Sequence, residues 1–147
     1  MHEYLSTFIA GGTPLIEGRL AILGAAAAGL NLWYAAPLAL MGNLIIIPIT
    51  FRLLKLAHFS DSVHKFFGNK IQKKIDDYRH EFEVWEEFAL LIFTAIPLPF
   101  SGAYSAILAS RILNLKRRKS AFVIGLGVII ANILGLLLSL GLIKLLW

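Results

Sequence analysis

Apolar positions run almost unbroken through four stretches of the chain, Tyr4 to Leu30, Leu32 to Leu54, Phe88 to Leu113 and Ala121 to Leu146. No Asp, Glu, Lys or Arg occurs between Leu20 and Phe51, Phe88 and Ser110, or Ser120 and Ile143, runs of 32, 23 and 24 residues. A hydrocarbon core about 30 Å thick is crossed by about 20 apolar residues in a helix, so each run can enter or cross a membrane. Leu32 to Leu54 and Ala121 to Leu146 read as complete spans. The other two stretches are broken, the first at Gly11-Gly12-Thr13-Pro14 and the third at Ile96-Pro97-Leu98-Pro99 followed by Ser101-Gly102.

Between the second and third stretches the pattern changes. Val63, Phe66, Phe67, Ile71, Ile75, Tyr78, Phe82 and Trp85 recur at steps of three and four, which predicts an amphipathic helix. From Ser60 to Glu87 it would run ~42 Å at 1.5 Å per residue, with a kink at Gly68-Asn69 as one option. Its first half is basic and its second acidic, with Lys73/Asp77 and Arg79/Glu83 at i,i+4 spacing. Such a helix lies on the membrane surface or packs on a partner; a recognition face for a soluble protein is the alternative.

Composition agrees with the pattern. The chain is 58% hydrophobic and 16% charged, against about 25% charged in soluble domains. With no cysteine, disulfides, thiolate nucleophiles and cysteine metal sites are excluded. The first ten residues have no basic n-region and carry Glu3, so they do not read as a cleaved signal peptide. The net charge of +5 does not imply nucleic acid, because the segment from Arg52 to Glu87 holds seven basic and seven acidic residues and Lys116 to Lys119 form one cluster between apolar runs. That cluster reads as a topology signal.

Four crossings would put the Lys116 to Lys119 loop and the basic residues from Arg52 to Lys74 on opposite sides, against the positive-inside tendency. The conflict vanishes if the first and third stretches enter the membrane, turn at their Gly/Pro breaks and leave on the side they entered. Residues 57–87 and 114–120 are then cytoplasmic and both termini outside; full spanning remains the alternative. Internal similarity supports the hairpins. Pro14-Leu15 and Pro97-Leu98 are 83 residues apart, as are Leu30-Asn31-Leu32 and Leu113-Asn114-Leu115, while Asn43 and Asn132 differ by 89. The expected fold is an all-α integral membrane protein, one domain over residues 1–147. It would be an inverted-topology repeat of re-entrant helical hairpin plus transmembrane helix (4–56 and 88–146), joined by the amphipathic helix.

Broken backbone at membrane depth must be buried in protein or line a wet cavity, so the turns at Thr13, Pro14, Pro97, Pro99, Ser101 and Gly102 should meet near the midplane. Each would aim a helix start, from Pro14 and from Ser101-Gly102, at a shared site that favours an anion. Glu17 and Arg19 follow the first turn. Two residues apart on a helix they should point nearly opposite ways, so Arg111 becomes the candidate partner. They read either as proton-binding carboxylate and anion-holding arginines or as structural charges near an interface. Asn43 and Asn132, inside the spans, join helices by hydrogen bonds or line the path. No metal or cofactor is expected: His2, His58, His64 and His80 form no ligating pair, and nucleotide-binding and other enzyme motifs are absent.

The run from Pro14 to Ile22, with Glu17, Arg19 and Ala21-Ile22, resembles the proline, glutamate, arginine and Ala-Ile pattern of the small multidrug export family. The run from Ile96 to Tyr104 is similar to its second signature, usually Pro-Leu-Pro-Gly-Thr-Gly-Ala-Trp, and Gly42-Asn43 before an Ile-rich run also matches. Leu23, Phe100, Ser101 and Tyr104 depart from the usual proline, glycine, threonine and tryptophan. The family is similar in plan to the DedA group, whose paired membrane hairpins are linked to proton-dependent transport and undecaprenyl phosphate flipping. The resemblance implies a transporter rather than an enzyme, in the cell membrane. The leading expectation is a proton-motive-force-linked transporter or flippase for an anionic amphiphile such as a polyprenyl phosphate, working with protons and lipid, as a homodimer because four apolar segments make a thin wall. A multidrug/proton antiporter and a non-transporting membrane organiser are the alternatives.

Overall fold

The computed structural model describes residues 2–14, 16–56, 79–96, 102–113 and 115–146, all of whose regular elements are α-helices. These are α1 (His2–Gly11), α2 (Glu17–Ala27), α3 (Leu32–Leu56), α4 (Arg79–Ala95), α5 (Ala103–Ile112) and α6 (Arg117–Leu146). Most of the expected amphipathic helix, residues 57–78, lies outside the described residues, as do Pro97, Pro99 and Ser101. The helix that follows, α4, runs unbroken from polar Arg79 into apolar sequence as far as Ala95.

Among the described residues two helices, Leu32–Leu56 and Arg117–Gly141 within α6, are long and apolar enough to cross a membrane. At 1.5 Å per residue α1, α2 and α5, with 10, 11 and 10 residues, reach only ~15 to 17 Å, about half a hydrocarbon core. Leu20, Met41, Ile45, Ile133, Leu137 and Leu138 are exposed on the outside of the helices, the surface expected in contact with lipid. The chain is a membrane protein.

Paired contacts give the helix directions. Asn31 N–H donates to the Tyr4 hydroxyl at 3.3 Å, and Gly11 lies on Ala39, so α1 runs parallel to α3 from a common end. Glu87 pairs with Lys119 at 3.3 Å, and Thr94 lies on Gly127, so α4 runs parallel to α6 in the same way. In each case the short helix between must come back, so α1–α2 and α4–α5 each go out and return. Gly18 on Asn132 and Arg19 on Gly135 set α2 parallel to α6, and α3 therefore runs opposite to α6. The basic residues Arg52, Lys55 and Lys116 to Lys119 gather at the end where α3 finishes and α6 starts.

Small residues allow the close crossings. A Cβ at Gly11 would overlap the backbone of Ala39, and one at Gly42 the Phe8 carbonyl oxygen, so α1 and α3 touch backbone to backbone. Gly127 makes room for the Thr94 side chain, which lets α4 and α6 approach closely. Two apolar clusters fill the interior. One joins Ala21, Ile22 and Ala25 of α2 to Leu32, Ala35 and Ala39 of α3. The other joins Ala103, Ala106 and Ile107 of α5 to Ile47 and Phe51 of α3, Leu90 of α4, and Ile124 and Val128 of α6.

The returning helices end alike. Gly29 at φ 70 closes α2 with Leu30 N–H bonded to Ala25 O and Gly29 N–H to Ala26 O, the Schellman pattern that satisfies carbonyls a helix end leaves free. Leu115 N–H makes the corresponding bond to Ser110 O past α5. Asn31 then starts α3, its Oδ1 accepting from Trp33 N–H at 3.0 Å. Asn31→Ala should lower the stability of the detergent-solubilised protein by about 1 kcal/mol, measured as a lower unfolding temperature.

Candidate functional site

The turn between α1 and α2 meets the end of α4 and the start of α5. Thr13 closes that turn, its Oγ1 donating to Ala10 O at 2.7 Å, and Pro14 sits exposed in it, not as the first residue of the returning helix, which begins at Glu17. Glu17 N–H bonds to Thr13 O at 3.2 Å and Glu17 has φ 52, the left-handed region that costs a non-glycine residue about 1–2 kcal/mol. That backbone takes its side chain off the helical register. Glu17 Oε2 consequently reaches Arg19 Nη2 at 3.1 Å, both side chains 12% exposed. The expectation that the two would point apart is corrected here: the i,i+2 rule holds for right-handed helical dihedrals, and Glu17, the first residue of α2, has a left-handed φ.

The pair sits between two helix ends of the other hairpin. Arg19 Nη1 donates to Ile96 O at 2.9 Å, just past the end of α4, where carbonyls lack helical partners and a cation is favoured. The Glu17 carboxylate lies directly on Gly102, the residue before α5, where a Cβ would overlap it. Helix starts favour negative charge, so the carboxylate occupies the position an external anion would prefer. In return, the Tyr104 hydroxyl donates to Gly12 O, past the end of α1. Each hairpin thus supplies a donor to the carbonyl end of the other.

A family model described as "Putative small multi-drug export protein" matches residues 17–134, which is 118 of the 147 residues. The chain belongs to this family. No curated protein and no solved structure matched it. The match begins at Glu17, so both members of the ion pair, both returning helices and most of α6 fall within the small multi-drug export region.

Of the residues singled out from sequence, Glu17, Arg19, Thr13 and Gly102 come together. Arg111 does not join them. Eight residues along α5 from Ala103, it lies ~12 Å from the helix start that Glu17 faces, too far to partner the carboxylate. Asn132 is buried beside the pair through Gly18; its Nδ2 donates to Val128 O at 2.8 Å while Oδ1 has no hydrogen-bond partner. Asn43 is equally buried on α3, its Oδ1 also unpartnered. Sequence reasoning missed the Tyr104 hydroxyl, read only as a departure from tryptophan, and the Ile96 carbonyl, which no side-chain pattern could mark. Among the described residues no cluster of His, Asp and Glu could hold a metal.

Proposed function

We propose that this export-family protein is a proton-motive-force-linked transporter or flippase for an anionic amphiphile, such as a polyprenyl phosphate. The observation that carries the reading is the part-buried Glu17–Arg19 pair set between the end of α4 and the start of α5, with the carboxylate on Gly102. Protonating Glu17 would free both Arg19 and that helix start, and an anionic headgroup is what the two together would take. Arg19 is the headgroup ligand and Glu17 the proton carrier.

The architecture this requires is an inverted repeat of re-entrant hairpin plus span, the plan of the DedA group. Its support is the matching directions, α1 with α3 and α4 with α6, while α3 and α6 run oppositely. Trp33 and Arg52 are 19 residues apart on α3, about 28 Å, close to a hydrocarbon core, and Gly42, where the first tip lies, falls midway. In this arrangement the termini are outside, the basic end is cytoplasmic in the cell membrane, and two copies thicken the wall as a homodimer. The chain has no cysteine, so Asn31→Cys and Arg118→Cys can be labelled singly with an impermeant maleimide. Labelling from opposite sides is expected; labelling of both from one side would refute the arrangement.

The family description favours a second reading, export of cationic drugs in exchange for protons. A proteoliposome assay separates them. A lipid phosphate should cross faster under a pH gradient and need Arg19; drug export would release protons with drug and tolerate Arg19→Gln. A membrane organiser would move neither and would be silent to Glu17→Ala.

A further inference from the structure

Asn132 holds a buried oxygen with nothing to bind. The residue is 3% exposed, inside α6, in a stretch without charge from Ala121 to Ile143. One end of its amide is fixed. Nδ2 donates to Val128 O at 2.8 Å, and turning the amide over would set two acceptors against each other. Oδ1 is therefore the atom turned toward α2, and no hydrogen-bond donor meets it there. A buried carbonyl oxygen is costly to leave in that condition unless some state of the protein supplies a donor.

The oxygen lies beside Glu17. A Cβ at Gly18 would overlap Asn132 Oδ1, so the oxygen rests on the Gly18 backbone, and the Glu17 Cα is only ~3.8 Å along the chain from that of Gly18. Three residues on, Gly135 lies against Arg19, so α6 lines α2 directly behind the ion pair. The N–H groups that open α2 do not bond Oδ1. As a carboxylate, Glu17 has only acceptors and nothing to offer Asn132. It is held instead by Arg19 Nη2 at 3.1 Å and by the start of α5.

Few other charged or titratable groups face it. On α5 the Tyr104 hydroxyl is given to Gly12 O, and Arg111 lies at the far end of that helix. The end of α4 presents the Ile96 carbonyl, already taken by Arg19. On α3 no charge precedes Arg52, and on α1 His2 and Glu3 are at the end away from the turn. A protonated Glu17 changes the balance. One of its oxygens becomes a donor, its attraction to Arg19 and to the helix start falls, and rotation about its side-chain bonds can carry the carboxyl to the unpartnered oxygen behind α2.

We propose that Glu17 has two positions: ionised, on Arg19 and the start of α5, and protonated, donating its O–H to Asn132 Oδ1. Asn132 is then a positioning residue for the protonated state, an inference that rests on the reading of Glu17 as the proton carrier. The proton stays on Glu17 throughout. What changes is the rotamer, and the move uncovers Arg19 and Gly102 together.

Infrared difference spectra between high and low pH, recorded on the full-length protein in lipid vesicles, test it through the C=O stretch of the protonated carboxyl. The Glu17 band is the one that Glu17→Gln removes. Asn132→Leu, which keeps the bulk and removes the acceptor, should shift that band to higher frequency, as for a carboxyl whose O–H has lost its partner. Gly18→Ala should shift it the same way, because the new Cβ displaces Oδ1 without touching the amide chemically; it decides the matter if Asn132→Leu does not fold. An unmoved band in either variant, with a wild-type unfolding temperature, overturns the contact alone. If Glu17→Gln removes no band, Glu17 takes up no proton and the carrier reading falls with the contact. A band that shifts as expected, in a protein that moves no lipid phosphate, leaves the contact standing and removes the transport reading.

Discussion

Replacing Glu17 by glutamine is expected to lower gradient-driven transport at least about tenfold, a loss of ~1.4 kcal/mol or more in coupling. Glutamine keeps the size of the side chain and its contact with Gly102, but it cannot exchange a proton and no longer neutralises Arg19. The structure adds a way to separate this from simple damage. Glu17 adopts φ 52, which glycine adopts freely, so Glu17→Gly relieves about 1–2 kcal/mol of backbone strain while deleting the carboxylate. The relief is offset by leaving Arg19 part-buried without its charge partner, though Arg19 keeps the Ile96 carbonyl. Gradient-driven transport that is lost in both variants, measured as flux per folded protein in proteoliposomes, marks Glu17 as a working group. Wild-type flux from Glu17→Gln would mark the pair as structural.

The second large effect is expected at Gly102. Its φ is −105°, so no left-handed backbone requires glycine there; the requirement is space, since the Glu17 carboxylate occupies the place of a Cβ. Gly102→Ala must therefore push away the flexible end of Glu17, and alanine is a somewhat poorer N-cap for α5 than glycine, a modest cost in stability. Transport should fall by about tenfold, ~1.4 kcal/mol, with the unfolding temperature little changed. The double variant Glu17→Gln/Gly102→Ala should be no worse than Glu17→Gln alone, because both act through one carboxylate. Additive losses would show that Gly102 acts by some other contact.

The uncharged runs made the two long helices legible, because burial in lipid imposes a length and a lack of charge that few other constraints mimic. α3 falls within two residues of the stretch from Leu32 to Leu54, and the Gly/Pro breaks coincide with the ends of α1 and α4. Helix starts were less legible: α6 begins at Arg117 rather than Ala121, since basic side chains can extend past the interface on a helix that continues outward. Of the site, Glu17 and Arg19 stood out because charge among apolar residues is costly. Their pairing did not, since it follows from one left-handed residue that sequence spacing does not reveal. Arg111 drew attention for the same reason as the pair, yet its position is set by the length of α5, which places it at the opposite end of that helix from Gly102. Tyr104 was hidden because a hydroxyl bonding a carbonyl 92 residues away leaves no local trace.

One measurement bears on the whole account. In proteoliposomes loaded with a pH-sensitive dye and a fluorescent polyprenyl phosphate, proton flux and lipid phosphate movement can be followed in the same vesicles. The account predicts that the two fluxes rise together with wild-type protein and vanish together with Glu17→Gln. Proton flux driven by a cationic drug with no movement of the lipid phosphate would contradict it.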